Sequence, residues 1–323
     1  MNHLSLVTLA LVALQSIGIA QTSKDPVAPA KTVEDPNKQQ IVPKLVAIPK
    51  PDKGYGTIVG QFVFEGVIPA RVPVVPKAAP ACAGELFRDD LVINPANRGI
   101  KNIFVYEKSG TYKDKAKKPK PSRFEFPLDA IHPRLRKAQQ PFLWFDQEGC
   151  RFFPKALLVR IPTEGKKKAV VQVISNDPVT HNTRTTTANV TIQAKDRKGV
   201  AFQLTKPTTT PMGVRCDLHP WMKAHWLVSD HPYTAITNSD GMFMIPNMPE
   251  GKHEIRLWHG TGYYLHRKIK SAKGPGYEIT TTKDPKTARK KTLMLVTVES
   301  GKVLDMKQIK LKADWFENSD AQK

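Results

Sequence analysis

The chain is punctuated into short β-prone segments, and this limits its architecture more than any other feature. Residues 57–66 are β-branched and aromatic and are bounded by glycines. Residues 91–93, 102–106, 157–161, 168–175, 190–193, 201–204, 214–216 and 224–228 read the same way, separated by Gly, Pro, Asn and Asp. Residues 235–245 read as strand, Asp240-Gly241 turn, strand. Residues 253–259, 292–298 and 303–311 supply three more. No stretch repeats apolar residues at the helical period over a convincing length, and no solenoid or propeller repeat is present. The pattern implies an all-β sandwich. At 323 residues the chain can hold one large or two ordinary domains, with a sizeable core.

Two of the turns carry chemistry. Cys216-Asp217-Leu218-His219-Pro220-Trp221-Met222 places a thiolate, an imidazole and a thioether on one loop, in the order Cys-x-x-His-x-x-Met. Upstream, Asn176-Asp177-Pro178-Val179-Thr180-His181-Asn182 offers a second imidazole at the end of the strand over 168–175. Two His, one Cys and a weak axial Met form the ligand set of a blue-copper electron-transfer site. Soft sulfur suits Cu(I) and imidazole suits Cu(II), so His181, Cys216, His219 and Met222 can serve both states with little rearrangement. Each residue alone has an ordinary reading: Met222 as core filler, Cys216 as a small buried hydrophobe, His219 as a turn residue. Their joint occurrence at this spacing, in a chain that reads all-β, points to copper. Pro220 stiffens the turn, and Trp221 is placed to shield a metal from water.

The loop resembles the short ligand loop of amicyanin-type cupredoxins, which also reads Cys-x-x-His-Pro-x-Met, and His181-Asn182 resembles the His-Asn of the first-ligand strand in plastocyanins and amicyanins. The resemblance covers residues from about 154 to 229. It implies a Greek-key β-sandwich, one type 1 copper, backbone hydrogen bonds from Asn182 that hold the ligand loop, and a His219 ring edge at the surface as the electron port. More widely, the chain resembles exported bacterial methylamine-utilisation-like proteins, which pair a cupredoxin segment with a carboxypeptidase-regulatory-like one. Residues 235–259 resemble that second module's Gly-x-Phe hairpin and Pro-x-Gly strand, a non-catalytic β-sandwich. The strand at 58–64 is a candidate to complete it, which would insert the cupredoxin between its halves. Other histidines, His225, His231 and His259, read as structural, although His225 could face the site from its strand. Lys155 stands where similar exported proteins often carry His, which weakens any second metal site there.

Targeting and cysteine count bear on compartment. Residues 4–20 are apolar, and Gly18-Ile19-Ala20 gives the small residues a signal peptidase reads. The n-region Met1-Asn2-His3 lacks Lys and Arg, so an uncleaved anchor is the alternative. After cleavage no integral span is expected. With Cys216 on the metal, Cys82 and Cys150 remain. In an oxidising compartment they would pair; otherwise they are two free buried thiols. The expected organisation is a signal peptide at 1–20, a disordered Pro/Lys-rich tether at 21–53, N-terminal strands with a basic insert at 54–150, the cupredoxin-like segment at 151–229, the smaller β-sandwich segment at 230–312, and a frayed C-terminus at 313–323.

Lys and Arg total 50 against 29 Asp and Glu, a formal charge of +21. Such a field favours acidic partners. The Lys runs are not interleaved with aromatics, so nucleic-acid binding is not expected. The expected function is a periplasmic or secreted electron carrier, not an enzyme, that docks on an acidic redox protein such as a c-type cytochrome or dehydrogenase. The competing reading is a non-redox binding or structural module of the cell envelope. A copper oxidase or nitrite reductase needs a further His cluster, usually as His-x-His pairs, and the chain has none. Copper storage or delivery fits poorly, because a rigid thiolate site releases metal badly. No phosphate loop, zinc helix motif, Cys-x-x-Cys or nucleophile elbow is present.

Overall fold

A computed structural model describes residues 48–75, 80–82, 85–107, 131–136, 143–162, 168–269, 272–283 and 290–316. The expected signal peptide, the expected tether up to residue 47, and most of the basic insert lie outside the described residues. Among the described residues the only α-helix is a single turn, Pro133–Arg136, and no helix is long and apolar enough to cross a membrane.

Two β-sandwiches share the chain. In the first, β1 (Tyr55–Glu65) lies at the centre of a three-stranded sheet, antiparallel to β13 (Met242–Pro249) and parallel to β19 (Val303–Lys312). Its near-continuous burial suits a strand flanked on both sides. The facing sheet runs β12 (Thr234–Ile236), β2 (Phe104–Glu107), β14 (Gly251–His259), β18 (Lys290–Val298), β17 (Tyr277–Lys283) and β16 (Ala272–Gly274), with β15 (Tyr263–Tyr264) on β14. Phe62, Phe243, Ile255, Leu257, Met294 and Leu311 fill the space between them. The chain leaves this sandwich after β2 and returns at β12, which pairs directly with β2. The strands between them, β3 (Leu143–Glu148) to β11 (Lys223–Ser229), form the second sandwich, while Ile131 and Tyr233 pack back into the first core.

That second sandwich alternates between two sheets. One holds β4 (Arg151–Phe153), β3 (Leu143–Glu148), β6 (Ala169–Ser175) and β9 (Val200–Leu204); the other holds β5 (Ala156–Arg160), β11 (Lys223–Ser229), β10 (Met212–Arg215), β7 (His181–Arg184) and β8 (Asn189–Ile192). β3 runs parallel to β6, and β5 parallel to β11, because the chain crosses from sheet to sheet between them. Trp226 is fully buried at the centre, edge-on to Phe145 at 4.9 Å and Phe202 at 5.6 Å. Cys82 and Cys150 form a disulfide that ties the segment before β2 to the β3–β4 turn. A small cluster of Phe104, Tyr106, Ala156, Leu227 and Trp258 joins the sandwiches.

Several elements differ from the sequence expectation. Residues 91–93 make only one isolated bridge, Ile93 to Ile100, since the segment turns back on itself. β3 and β4 carry no clean alternation and are not expected from the sequence, whereas β7 begins at His181, where the resemblance implies the first-ligand strand. β3 belongs with the second sandwich, so the boundary expected at 150/151 falls in the β3–β4 turn. Phe316 is buried against Phe64 and His259, so the packed chain continues past residue 313.

The Asp240-Gly241 turn does not make a hairpin. β12 pairs with β2 and β13 with β1, so the turn carries the chain from one sheet to the other. It is held there by the 94–99 loop: Asp240 Oδ1 accepts from Asn94 Nδ2 at 2.8 Å and Asn97 Nδ2 at 3.0 Å. Gly99 and Gly241 permit the approach, for a Cβ on Gly99 would lie 2.1 Å from the Asp240 carbonyl. Asp240→Ala removes a charged acceptor from two amides and is expected to cost about 2 kcal/mol, read as a lower urea midpoint. An unchanged midpoint would show the turn is held by backbone alone.

Candidate metal centre

The ligand loop is fixed by the strands on either side of it. β10 and β11 pair through Arg215 and Lys223, so Cys216 and Met222 open the loop facing each other. The Cys216 N–H donates to the Met222 carbonyl at 3.1 Å, and the Met222 N–H to the His219 carbonyl at 2.8 Å. The seven residues thus form a closed turn with its cysteine, histidine and methionine all buried. β7 bonds β10 only through Arg184 and Arg215, which leaves its first residue, His181, beside the loop.

Three donor atoms meet there. His181 Nδ1 and His219 Nδ1 lie 2.8 Å apart, and Cys216 Sγ is 3.6 Å from His219 Nδ1. The exposures of His181, Cys216, His219 and Met222 are 0%, 2%, 6% and 1%. Two imidazole nitrogens and one free thiol converge within 4.8 Å of one another, the soft and borderline donor set that suits copper. The residues fit the group. His181, His219 and Cys216 would hold it, and Met222 is buried on the same loop.

Asn182 binds the loop to β7. Its N–H points at Cys216 Sγ at 3.4 Å, a contact that stabilises a thiolate. Its Oδ1 accepts from the Asp217 N–H at 2.7 Å, and its Nδ2 donates to Asn189 and Asp217. Trp221 stands 5.2 Å from the His219 ring and donates Nε1–H to the Cys150 carbonyl at 3.1 Å. Pro220 is exposed at the tip, next to Leu218. The His219 ring does not lie open at the surface as expected. Trp221 and His181 pack against it, and the residue is only 6% exposed.

Sequence reasoning missed Asp177. Its Oδ2 accepts from His181 Nε2 at 2.7 Å and also from the Cys150 N–H at 2.9 Å. The only signal was its position four residues before His181, which in an irregular turn says nothing of contact. Burial pulls the His181 pKa down, but hydrogen bonds to Asp177 and Cys216 outweigh it and raise it to about 9. Burial, then repulsion by His181, lowers that of His219. At neutral pH the metal-free site therefore holds its proton on His181, which donates across the 2.8 Å contact to His219. Metal entry must displace that proton.

His225 does not face this cluster. It packs edge-on to Trp258 at 4.7 Å and lines a small polar cavity with Arg88, Asp90, Lys155 and His259. Lys155 is held there by ion pairs to Asp89 and Asp90. His231 and His259 are buried in hydrogen-bonded positions within the first sandwich and its edge.

No family model matches the chain, and no curated protein sequence does. Among solved structures, a novel purple cupredoxin from Nitrosopumilus maritimus is similar over 27% of this chain and 99% of its own, at 15% identity and a TM-score of 0.22. The reduced state of an amicyanin variant is similar over 29% of this chain and 87% of its own, at 16% identity and the same TM-score. A Cu-containing nitrite reductase from Thermus scotoductus SA-01 is similar over 28% of this chain but only 23% of its own, at 17% identity and a TM-score of 0.22.

Proposed function

We propose that this chain is an exported type 1 copper protein that passes single electrons between redox partners. The observation that carries the reading is the convergence of His181 Nδ1, His219 Nδ1 and Cys216 Sγ in a buried turn. Copper bound there supplies a one-electron couple. The chain's own residues hold the donors in one arrangement: the β10–β11 pairing sets the loop, Asn182 anchors it to β7, and Trp221 and the loop backbone keep bulk water from the His219 ring. A pre-set donor cage keeps reorganisation small when the charge on the metal changes. The short, shielded path from His219 to the tip residues Leu218 and Pro220 supports electron exit there. The net charge of +21 favours an acidic partner such as a c-type cytochrome or dehydrogenase, bound transiently. The disulfide fits a periplasmic or secreted setting. The first sandwich serves in this reading as a non-catalytic, regulatory-like platform.

The test is a visible and EPR spectrum after Cu(II) addition, beside Cys216→Ser. An intense thiolate-to-copper band with narrow hyperfine splitting is expected in the wild type and should vanish in the variant. A colourless wild type that takes up no copper would instead favour a non-redox binding module, a reading to which the separate core of the first sandwich lends weight.

A further inference from the structure

The carboxylate hydrogen-bonded to a donor imidazole, and absent from the ligand pattern, is Asp177. It is 4% exposed, and its backbone is pinned as firmly as its side chain. Its N–H donates to Ser175 Oγ at 3.3 Å, and its carbonyl accepts the Lys195 N–H at 2.8 Å. One carboxylate oxygen, Oδ2, takes both the His181 Nε2 proton and the Cys150 N–H. The Cys150 carbonyl accepts from Trp221, so the disulfide-bonded turn, the carboxylate, both imidazoles and the loop tryptophan form a closed ring of contacts.

Resting on the copper reading above, we infer that Asp177 is a positioning residue that biases the couple toward oxidised copper. The ring geometry forces the tautomer. Once a metal displaces the Nδ1 proton, Nε2–H stays committed to Asp177 and the Nδ1 lone pair of His181 is the one turned to the donor cluster. A carboxylate on the remote nitrogen also makes the imidazole a stronger donor. Stronger donation and a nearby negative charge favour the more positive metal, so Cu(II) gains more than Cu(I). The reduction potential of this site is therefore lower than the same four ligands would set without Asp177.

The experiment compares wild type, Asp177→Asn and Asp177→Glu, each loaded with copper alone. Cu(II) and Cu(I) affinities are measured by competition with chelators, and the midpoint potential by redox titration. Asp177→Asn keeps shape and an acceptor but loses the charge. It is expected to lose roughly 10–100-fold in Cu(II) affinity, with Cu(I) affinity less changed. Each tenfold of that difference appears as a potential rise of about 59 mV for a one-electron couple. Asp177→Glu, which keeps the charge, should show a smaller rise.

A residue with only a structural role would weaken both oxidation states alike and leave the potential in place, which overturns the inference. Should Asp177→Asn fail to accumulate, the Cu(I)-loaded wild type decides: the His181 Nε2 proton should be visible downfield and slow to exchange, and exchange as fast as a free imidazole overturns the inference. A wild type with no thiolate-copper band sinks the electron-carrier reading and this inference together. A blue wild type whose potential ignores Asp177→Asn sinks the inference alone.

Discussion

Acidification from pH 6.5 to pH 4 is expected to unfold this protein. His231, His259 and His266 are 1%, 1% and 3% exposed. Each uses Nδ1 to accept a backbone N–H: Tyr233 at 3.2 Å, Thr261 at 3.3 Å and Leu257 at 3.2 Å respectively. A protonated ring has no lone pair to offer there, and its charge has lost its water. Burial, the largest cause for all three, lowers each pKa to about 4 from the usual value near 6.5. Nearby Lys155 adds to the effect at His259. His225 is depressed further, to about 3, by burial and then Lys155.

These folded values lie below the unfolded one, so between pH 6.5 and 4 the unfolded chain binds more protons and stability falls as pH falls. Each fully buried ring contributes about 1.4 kcal/mol per pH unit in that window. Three of them supply on the order of 4 kcal/mol per unit, against a total stability of about 5–15 kcal/mol for a typical domain. His253 has the opposite sign. Burial lowers its pKa, but the Glu107 carboxylate at 2.8 Å outweighs this and raises it, so its contribution is kept in acid and lost as pH rises through its folded value. It does not offset the loss. Urea midpoints followed by tryptophan fluorescence should drop steeply below pH 6. A midpoint flat from pH 6.5 to 4 contradicts the argument, and His266→Asn, which keeps an acceptor near Leu257, should remove about one proton from the slope.

Removing the disulfide is the second large effect. Cys82 and Cys150 are 68 residues apart in sequence, and opening a loop of that length frees the unfolded chain by about 4 kcal/mol in the chain-entropy model. The local consequence is at the candidate metal centre. Cys150 gives its N–H to Asp177 and its carbonyl to Trp221, so freeing it loosens the carboxylate on His181 and the ring over His219 at once. Cys82→Ala/Cys150→Ala should therefore lower the urea midpoint and broaden the copper EPR signal in the same protein. A variant that loses stability with an unaltered spectrum would mean the donor set is held by β10 and β11 alone.

The candidate metal-site turn was legible because its chemistry is local. Cys216, His219 and Met222 sit within seven residues, and the spacing itself requires a tight turn between two strands. Strands buried on alternate faces, such as β6, were legible from their period. β3 was not: Leu143–Glu148 buries Phe145, Asp146 and Gln147 in succession, because Asp146 takes Arg197 and Asn176 and Gln147 reaches Thr183. A polar side chain satisfied by a distant partner looks, in the sequence, like one that faces water.

The same reason separates what the sequence decided from what folding decided. By itself the sequence determined the all-β class, the strand–turn punctuation and the Cys-x-x-His-x-x-Met turn, since each depends on residues a few positions apart. Only the tertiary structure decided that Thr57 pairs with Val303, that Cys82 meets Cys150, that the Asp240 turn crosses between sheets, and that Asp177 closes on His181. Those contacts depend on which strands become neighbours. That choice is made by burying two separate cores together, a balance over the whole chain that no short window contains.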